Sequence, residues 1–163
     1  MTRRRIGVIS DTHGLLRPEA LQALRRSELI IHGGDIGKAA VLDALRALAP
    51  VKAVRGNVDR EPWARHLPKT EAFEIDEVGV YVLHDLGEID LVPDAAQFKV
   101  VVSGHSHQPS IQERHGVLFV NPGSAGPRRF RLPVSIAFLH IRGASVEAEL
   151  VPLLPVPTLP RVR

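Results

Sequence analysis

Seven short runs rich in Ile and Val punctuate the chain: RIGVIS (5–10), LIIHGG (29–34), VKAVRG (51–56), GVYVLH (79–84), KVVVSG (99–104), GVLFVN (116–121) and VSIAFLHI (134–141). Each has the length of a strand and closes near Gly, Asp, Asn or His, so the chain must bury several strands and turn sharply after each. Between the early runs lie two helical patterns, RPEALQALRRSE (17–28), with Pro18 suited to a first turn, and KAAVLDALRALA (38–49), closed by Pro50. From residue 70 onward the strands crowd together with little helix between them, apart from a short helical turn expected at PDAAQF (93–98). That change of rhythm predicts an α/β domain built from two sheets rather than one doubly wound sheet.

The 163 residues suffice for one domain with a sizeable core. We expect a single domain over residues 1–155 and a proline-rich tail over 156–163. No apolar run approaches the roughly 20 residues of a membrane helix, and IGVIS after Arg3-Arg4-Arg5 is too short for a secretory leader. A cytoplasmic protein without membrane contact is expected. Cysteine is absent, which leaves His, carboxylate and amide groups as the only metal ligands. The pI of 9.8 accompanies a net charge of only +3, and the dense basic clusters are confined to Arg3–Arg5 and Arg128–Arg131. A nucleic-acid partner is therefore not favoured.

The chemistry-bearing residues collect at the strand ends. SDTHG supplies Asp11 and His13, HGGDIG supplies Asp35, RGNVD supplies Asn57 and Asp59, VLHD supplies His84, and SGHSH supplies His105 and His107. Parallel strands gather functional groups outside their carboxyl ends. Asp11, His13, Asp35, Asn57, His84, His105 and His107 outnumber the ligands that one ion needs, so two ions are expected. A carboxylate shared between them would hold them about 3.5–4 Å apart. Oxygen and nitrogen donors without sulfur suit divalent transition metals, with Mn first and Ni, Fe, Co or Zn as alternatives. Gly33-Gly34, Gly56 and Gly104 immediately precede Asp35, Asn57 and His105, where a missing Cβ lets the backbone turn into a crowded centre.

The ordered set D-x-H, G-D, G-N-x-D, H, G-H-x-H resembles the calcineurin-like metallophosphoesterase superfamily, and NPGS at 121–124 resembles its compact YfcE-like phosphodiesterase branch. The resemblance runs from residue 6 to about 141. It implies a four-layer αββα sandwich of two mixed sheets with a dimetal site at the strand ends. It further implies that Asp11, His13, Asp35 and His107 hold one metal and that Asp35, Asn57, His84 and His105 hold the other, with Asp35 as the bridge. Asp35, Asn57 and His84 would then act in catalysis through a metal-activated hydroxide. The expected activity is a phosphodiesterase cleaving P–O bonds of a small phosphodiester or nucleotide-like substrate. A phosphomonoesterase or nuclease on the same centre, and a metal-binding interaction scaffold such as the similar retromer subunit, are the alternatives.

Two positions depart from the family pattern. Val58 stands where many relatives have a histidine that protonates the leaving group, and Asp85 stands where glycine is common after the fourth-motif histidine. Arg128 and Arg129 are candidates for pairing with a substrate phosphate, with Arg55 and Lys38 weaker ones. Asp59 is expected to orient the Asn57 loop, and His32 to pack or hydrogen-bond near the site. His66, His115 and His140 lie outside the pattern. A homodimer is left open.

Overall fold

Alternation along β1 (Arg4–Ile9) sets the architecture, because its two faces enter different cores. Ile6 and Val8, with Leu139 of the neighbouring strand, face a layer of Val80, Val82, Val100, Val102 and Val120, whereas Ile9 joins Leu24, Leu45, Ile30 and Phe138. A strand with both faces buried is expected to be apolar throughout, as IGVI (6–9) is. The computed structural model describes residues 2–155, so the expected tail at 156–163 lies outside the described residues.

The remaining strands are β2 (Leu29–His32), β3 (Val51–Ala53), β4 (Thr70–Ile75), β5 (Val78–Leu83), β6 (Val100–Val102), β7 (Ser110–Arg114), β8 (Val117–Asn121), β9 (Ser135–Arg142) and β10 (Ser145–Pro152). They form two five-stranded mixed sheets, ordered β10-β9-β1-β2-β3 and β4-β5-β6-β8-β7. The strands β1, β2 and β3 run parallel, as do β5, β6 and β8. The two sheets pack face to face through the valine-rich layer.

Helices α1 (Pro18–Leu24) and α2 (Ala39–Arg46) cross between the parallel strands and cover the outer face of the first sheet. Gly7 in β1 permits this, since a Cβ there would strike Leu24 and Ser27. Both helices are shorter than the patterns at 17–28 and 38–49 because the chain must turn back to start the next strand. Glu28 N–H already bonds the Arg5 carbonyl at 2.9 Å.

The fourth layer differs from the expected sandwich in its material. Over the second sheet, Tyr81, Leu83 and Val101 are covered by Ile89, Leu91 and Phe98, and these come from a 3-10 turn at Leu86–Glu88 and an irregular stretch after it. The segment 93–98 closes through Ala96 N–H to Val92 O at 3.0 Å and Phe98 N–H to Pro93 O at 2.9 Å, as turns rather than helix. Among the described residues no helix is long and apolar enough to cross a membrane.

Candidate metal centre

The carboxyl ends of β1, β2, β3, β5 and β6 meet at one edge of the sandwich, and backbone hydrogen bonds stitch the loops that leave them. Asp11 N–H bonds Gly34 O at 3.0 Å, His13 N–H bonds Asp35 O at 2.9 Å, and Gly104 N–H bonds His84 O at 2.9 Å. The close approach requires glycine at two points. A Cβ on Gly56 would collide with Asp35, and one on Gly104 would collide with Ser10 and Asp11.

Asp11, Asp35, His84 and His107 are buried there. One Asp11 oxygen, Oδ2, accepts from Ser10 Oγ at 2.7 Å and from His105 N–H at 3.1 Å. The other, Oδ1, is buried without a hydrogen bond, yet it lies 3.3 Å from His107 Nε2, 3.8 Å from His13 Nε2 and 3.9 Å from His84 Nε2. A buried carboxylate oxygen left free while its twin is doubly bonded is the arrangement a cation needs. His13 Nε2 and His107 Nε2 stand 3.3 Å apart, with both ring nitrogens turned to the same point.

Asp35 is divided in the same way. Its Oδ1 accepts from Val58 N–H at 3.0 Å, and its Oδ2 has His84 Nε2 at 3.2 Å and His13 Nε2 at 3.7 Å. His84 Nδ1 sits 2.8 Å from the Gly33 carbonyl, and donation there leaves the Nε2 lone pair facing Asp35. The tip of the Asn57 amide lies 3.1 Å from both Asp35 oxygens and 3.0 Å from His84 Nε2. Turned oxygen inward, the amide adds a lone pair to those of Asp35 and His84, as a cation needs; turned nitrogen inward, it donates to them.

Asp11, His13 and His107 form one compact group of donors, and Asp11, Asp35 and His84 form another. His105 is not in either. Its ring stands edge-on to His84 with centroids 5.2 Å apart, and its Nε2 lies 3.8 Å from Asp85 Oδ2. Asp59 is buried and accepts from Ile36 N–H at 3.1 Å, Gly37 N–H at 3.0 Å and Gly56 N–H at 3.0 Å, tying the Asp35 loop to the Asn57 loop. Arg128 is turned to the Pro155 carbonyl at 3.0 Å, while the charge of Arg129 is felt at His107.

Three polar residues escape a reading of motifs. Ser10 fixes Asp11 Oδ2, Ser124 Oγ donates to Asp11 O at 2.9 Å, and Asn121 Nδ2 donates to Gly104 O at 2.9 Å. Their only signal was position, directly before D-x-H and within NPGS.

The electrostatics follow from burial set against close partners. Burial pushes the Asp11 carboxyl up, but His13, Ser10, His84 and His107 together hold it below the usual carboxylate range. Asp35 behaves alike, held down chiefly by His84 and the Val58 amide against its burial. His84 is raised, because Asp35, Asp11 and the Gly33 carbonyl outweigh the loss of water, whereas burial lowers His107.

His32 is fully buried, and desolvation pushes its imidazole down to about 4. Thr12 Oγ1 donates to Ile36 O at 2.9 Å, so His32 Nε2–H donates to Thr12 Oγ1 at 3.0 Å while Nδ1 accepts from Gly34 N–H at 3.1 Å. That pairing needs the neutral ring. The unfolded chain takes up its proton near 6.5, so this contribution to stability is full above pH 6.5 and is lost as pH falls toward 4. Urea unfolding of the wild type is expected to lose about 2 kcal/mol more between pH 7 and pH 5 than that of His32→Asn. An equal loss in both would refute the neutral-ring assignment.

Five of the seven candidate ligands also share an uncommon backbone. Asp11 (φ 53°), His13 (46°), Asp35 (54°), His105 (69°) and His107 (61°) all adopt the left-handed conformation, which non-glycine residues seldom occupy and which gathers at functional sites. His105 has a half-exposed side chain and loses little packing on truncation. Chelator-treated His105→Gly is therefore expected to match the wild type in urea-unfolding free energy or to exceed it by up to about 1 kcal/mol. A loss beyond about 1 kcal/mol would show that the left-handed turn carries no strain there.

Comparison with known proteins gives this geometry its context. The model of the calcineurin-like phosphoesterase superfamily domain matches residues 5–144. A probable metallophosphoesterase of Methanothermobacter thermautotrophicus is 39% identical over 160 residues, covering 90% of this chain and 91% of its own. A phosphodiesterase of Methanocaldococcus jannaschii is 28% identical over 138 residues, covering 73% of this chain and 82% of its own. In fold, the crystal structure of wild-type Vps29 complexed with zinc from Entamoeba histolytica superposes with a TM-score of 0.71 at 23% identity, covering 92% of this chain and 99% of that one. With the matched domain spanning nearly all of both sheets, the chain belongs to the calcineurin-like phosphoesterase superfamily of metal-dependent phosphoester hydrolases.

Proposed function

We propose that the protein is a dimetal phosphodiesterase that cleaves P–O bonds of a small phosphodiester. The observation that carries this reading is the buried, unbonded Asp11 Oδ1 amid the Nε2 atoms of His13, His84 and His107. Asp11, His13, Asp35 and His107 would hold one ion, and Asp35, Asn57, His84 and His105 the other. Bound there, two divalent ions supply Lewis acidity toward water and toward the phosphate oxygens.

The chain's own residues do the orienting. Ser10 and the His105 amide fix one Asp11 oxygen so that the other faces the imidazoles. The Gly33 carbonyl fixes the His84 ring, and the Val58 amide fixes Asp35. Asp59 holds the two loops in register. Arg129 is the better placed of the two candidate phosphate partners, since Arg128 is engaged by Pro155.

Zinc in the complex of the Entamoeba Vps29 means that metal binding alone does not separate an enzyme from an interaction scaffold. Turnover does. Chelator-stripped protein is to be given Mn²⁺, Ni²⁺, Zn²⁺ or Mg²⁺ separately, with an activated diester and the matching monoester as substrates. Restored hydrolysis, greater on the diester and lost by at least a hundredfold in Asp35→Asn and His107→Ala with folding retained, is expected. Stoichiometric metal binding without turnover would favour the scaffold, and full activity in either variant would overturn the ligand set.

Val58 is 46% exposed and leaves room for a larger side chain beside Asn57. No histidine stands there to protonate a leaving group, and such an acid is typically worth about 10²–10⁴ in rate. Val58→His is expected to raise kcat on alkyl leaving groups while changing activated esters little. An unchanged ranking of substrates would refute this account of the position.

A further inference from the structure

Beside the centre opens a cleft of about 540 Å³, walled at one end by Asn57, His84 and His105. Its volume suits a ligand of roughly mononucleotide size. Arg55, just after β3, and Lys69, just before β4, line it as well. Their loops are joined by the Arg55 N–H bond to Pro68 O at 2.8 Å. Among the described residues neither side chain makes an ion pair or a hydrogen bond.

Two further features shape the cleft. Tyr81 lines it with only 6% of its surface exposed, and its hydroxyl has no hydrogen-bond partner among the described residues. The hydroxyl oxygen is not sealed in the interior, so it is open to a ligand in the cleft. Asp85, Glu88 and Asp90 line another stretch of the wall, and none of them pairs with Arg55 or Lys69. Asp85 is already committed, its Oδ1 accepting from Gly87 N–H at 2.9 Å and its Oδ2 facing His105 at 3.8 Å. The cleft therefore carries two cations and three carboxylates with no ion pair between them, so an anion entering it finds its partners at Arg55 and Lys69.

We infer that Arg55 and Lys69 form a subsite for a second phosphate, so that the favoured substrate is a diester carrying another phosphate beyond the scissile one. Guanidinium and ammonium groups with free donors bind such a group directly. The carboxylates of the cleft offer it no partner, and the Tyr81 hydroxyl meets the moiety between the two phosphates. This inference rests on the phosphodiesterase reading above and names the substrate class of that same site.

The test compares three substrates with the best supporting ion: bis(p-nitrophenyl) phosphate, a dinucleotide, and the same dinucleotide with a 5′-phosphate. The wild type is expected to favour the phosphorylated dinucleotide over the plain one by at least tenfold in kcat/KM. In Arg55→Gln and Lys69→Gln that preference is expected to collapse, with losses on the other two substrates at least tenfold smaller. Equal rates on the two dinucleotides, or equal losses on all three substrates, would overturn the subsite and leave the phosphodiesterase reading intact. Should no substrate turn over with any ion, the enzyme reading fails, and calorimetry with adenosine 3′,5′-bisphosphate on metal-loaded protein decides the subsite. Binding weakened at least tenfold in the two variants would support it, and unchanged binding would overturn it.

Discussion

Everything at the strand ends answers one electrostatic demand: two carboxylates, Asp11 and Asp35, are buried in a crowded space with one oxygen of each left for the centre. An uncompensated buried charge is among the costliest features a fold can carry. The compensation comes from the chain's own backbone and imidazoles. One oxygen of each carboxylate is satisfied by nearby donors, Ser10 and the His105 amide for Asp11 and the Val58 amide for Asp35. The histidines complete the shell from the other sheet and from the first loop. The glycines at 56 and 104 exist because the carboxylates need the volume that a Cβ would take.

Three aspartates at strand ends look alike in sequence and have different surroundings. Asp11 and Asp35 face imidazoles, whereas Asp59 spends both oxygens on three backbone amides. What separates them is the partner class. An acceptor surrounded by N–H groups is a brace, and an acceptor surrounded by other lone pairs is waiting for a cation.

The parallel strands were legible because their apolar runs end in residues with distinctive chemistry, so their existence and the juxtaposition of their ends followed together. The edge strands β4, β7 and β10 were not read from TEAFEI, SIQER and SVEAELVP. Their exposed positions, such as Glu74 in β4, Gln112 to Arg114 in β7 and Glu147 and Glu149 in β10, dilute the hydrophobic signal that marked the inner strands. The site's residue types were legible, but its backbone was not, since nothing in a histidine or aspartate announces a left-handed φ as glycine does. That conformation is imposed by the loop contacts, such as Asp11 N–H to Gly34 O. Phe98 and Ile89 likewise gave no sign that an irregular stretch, and not a helix, would cap the second sheet.

The donors come from both halves of the sandwich. Asp11, His13, Asp35 and Asn57 leave the first sheet, and His84, His105 and His107 leave the second. Their spacing is therefore a property of how the halves are glued, through the dry layer of Val80, Val82, Val100 and Val102 against Ile6, Val8 and Leu139. Close-packed interiors resist compression and shear. The valine layer thus acts as the rigid bed of a measuring instrument, and a residue far from any ligand can detune the centre simply by letting one half slide against the other.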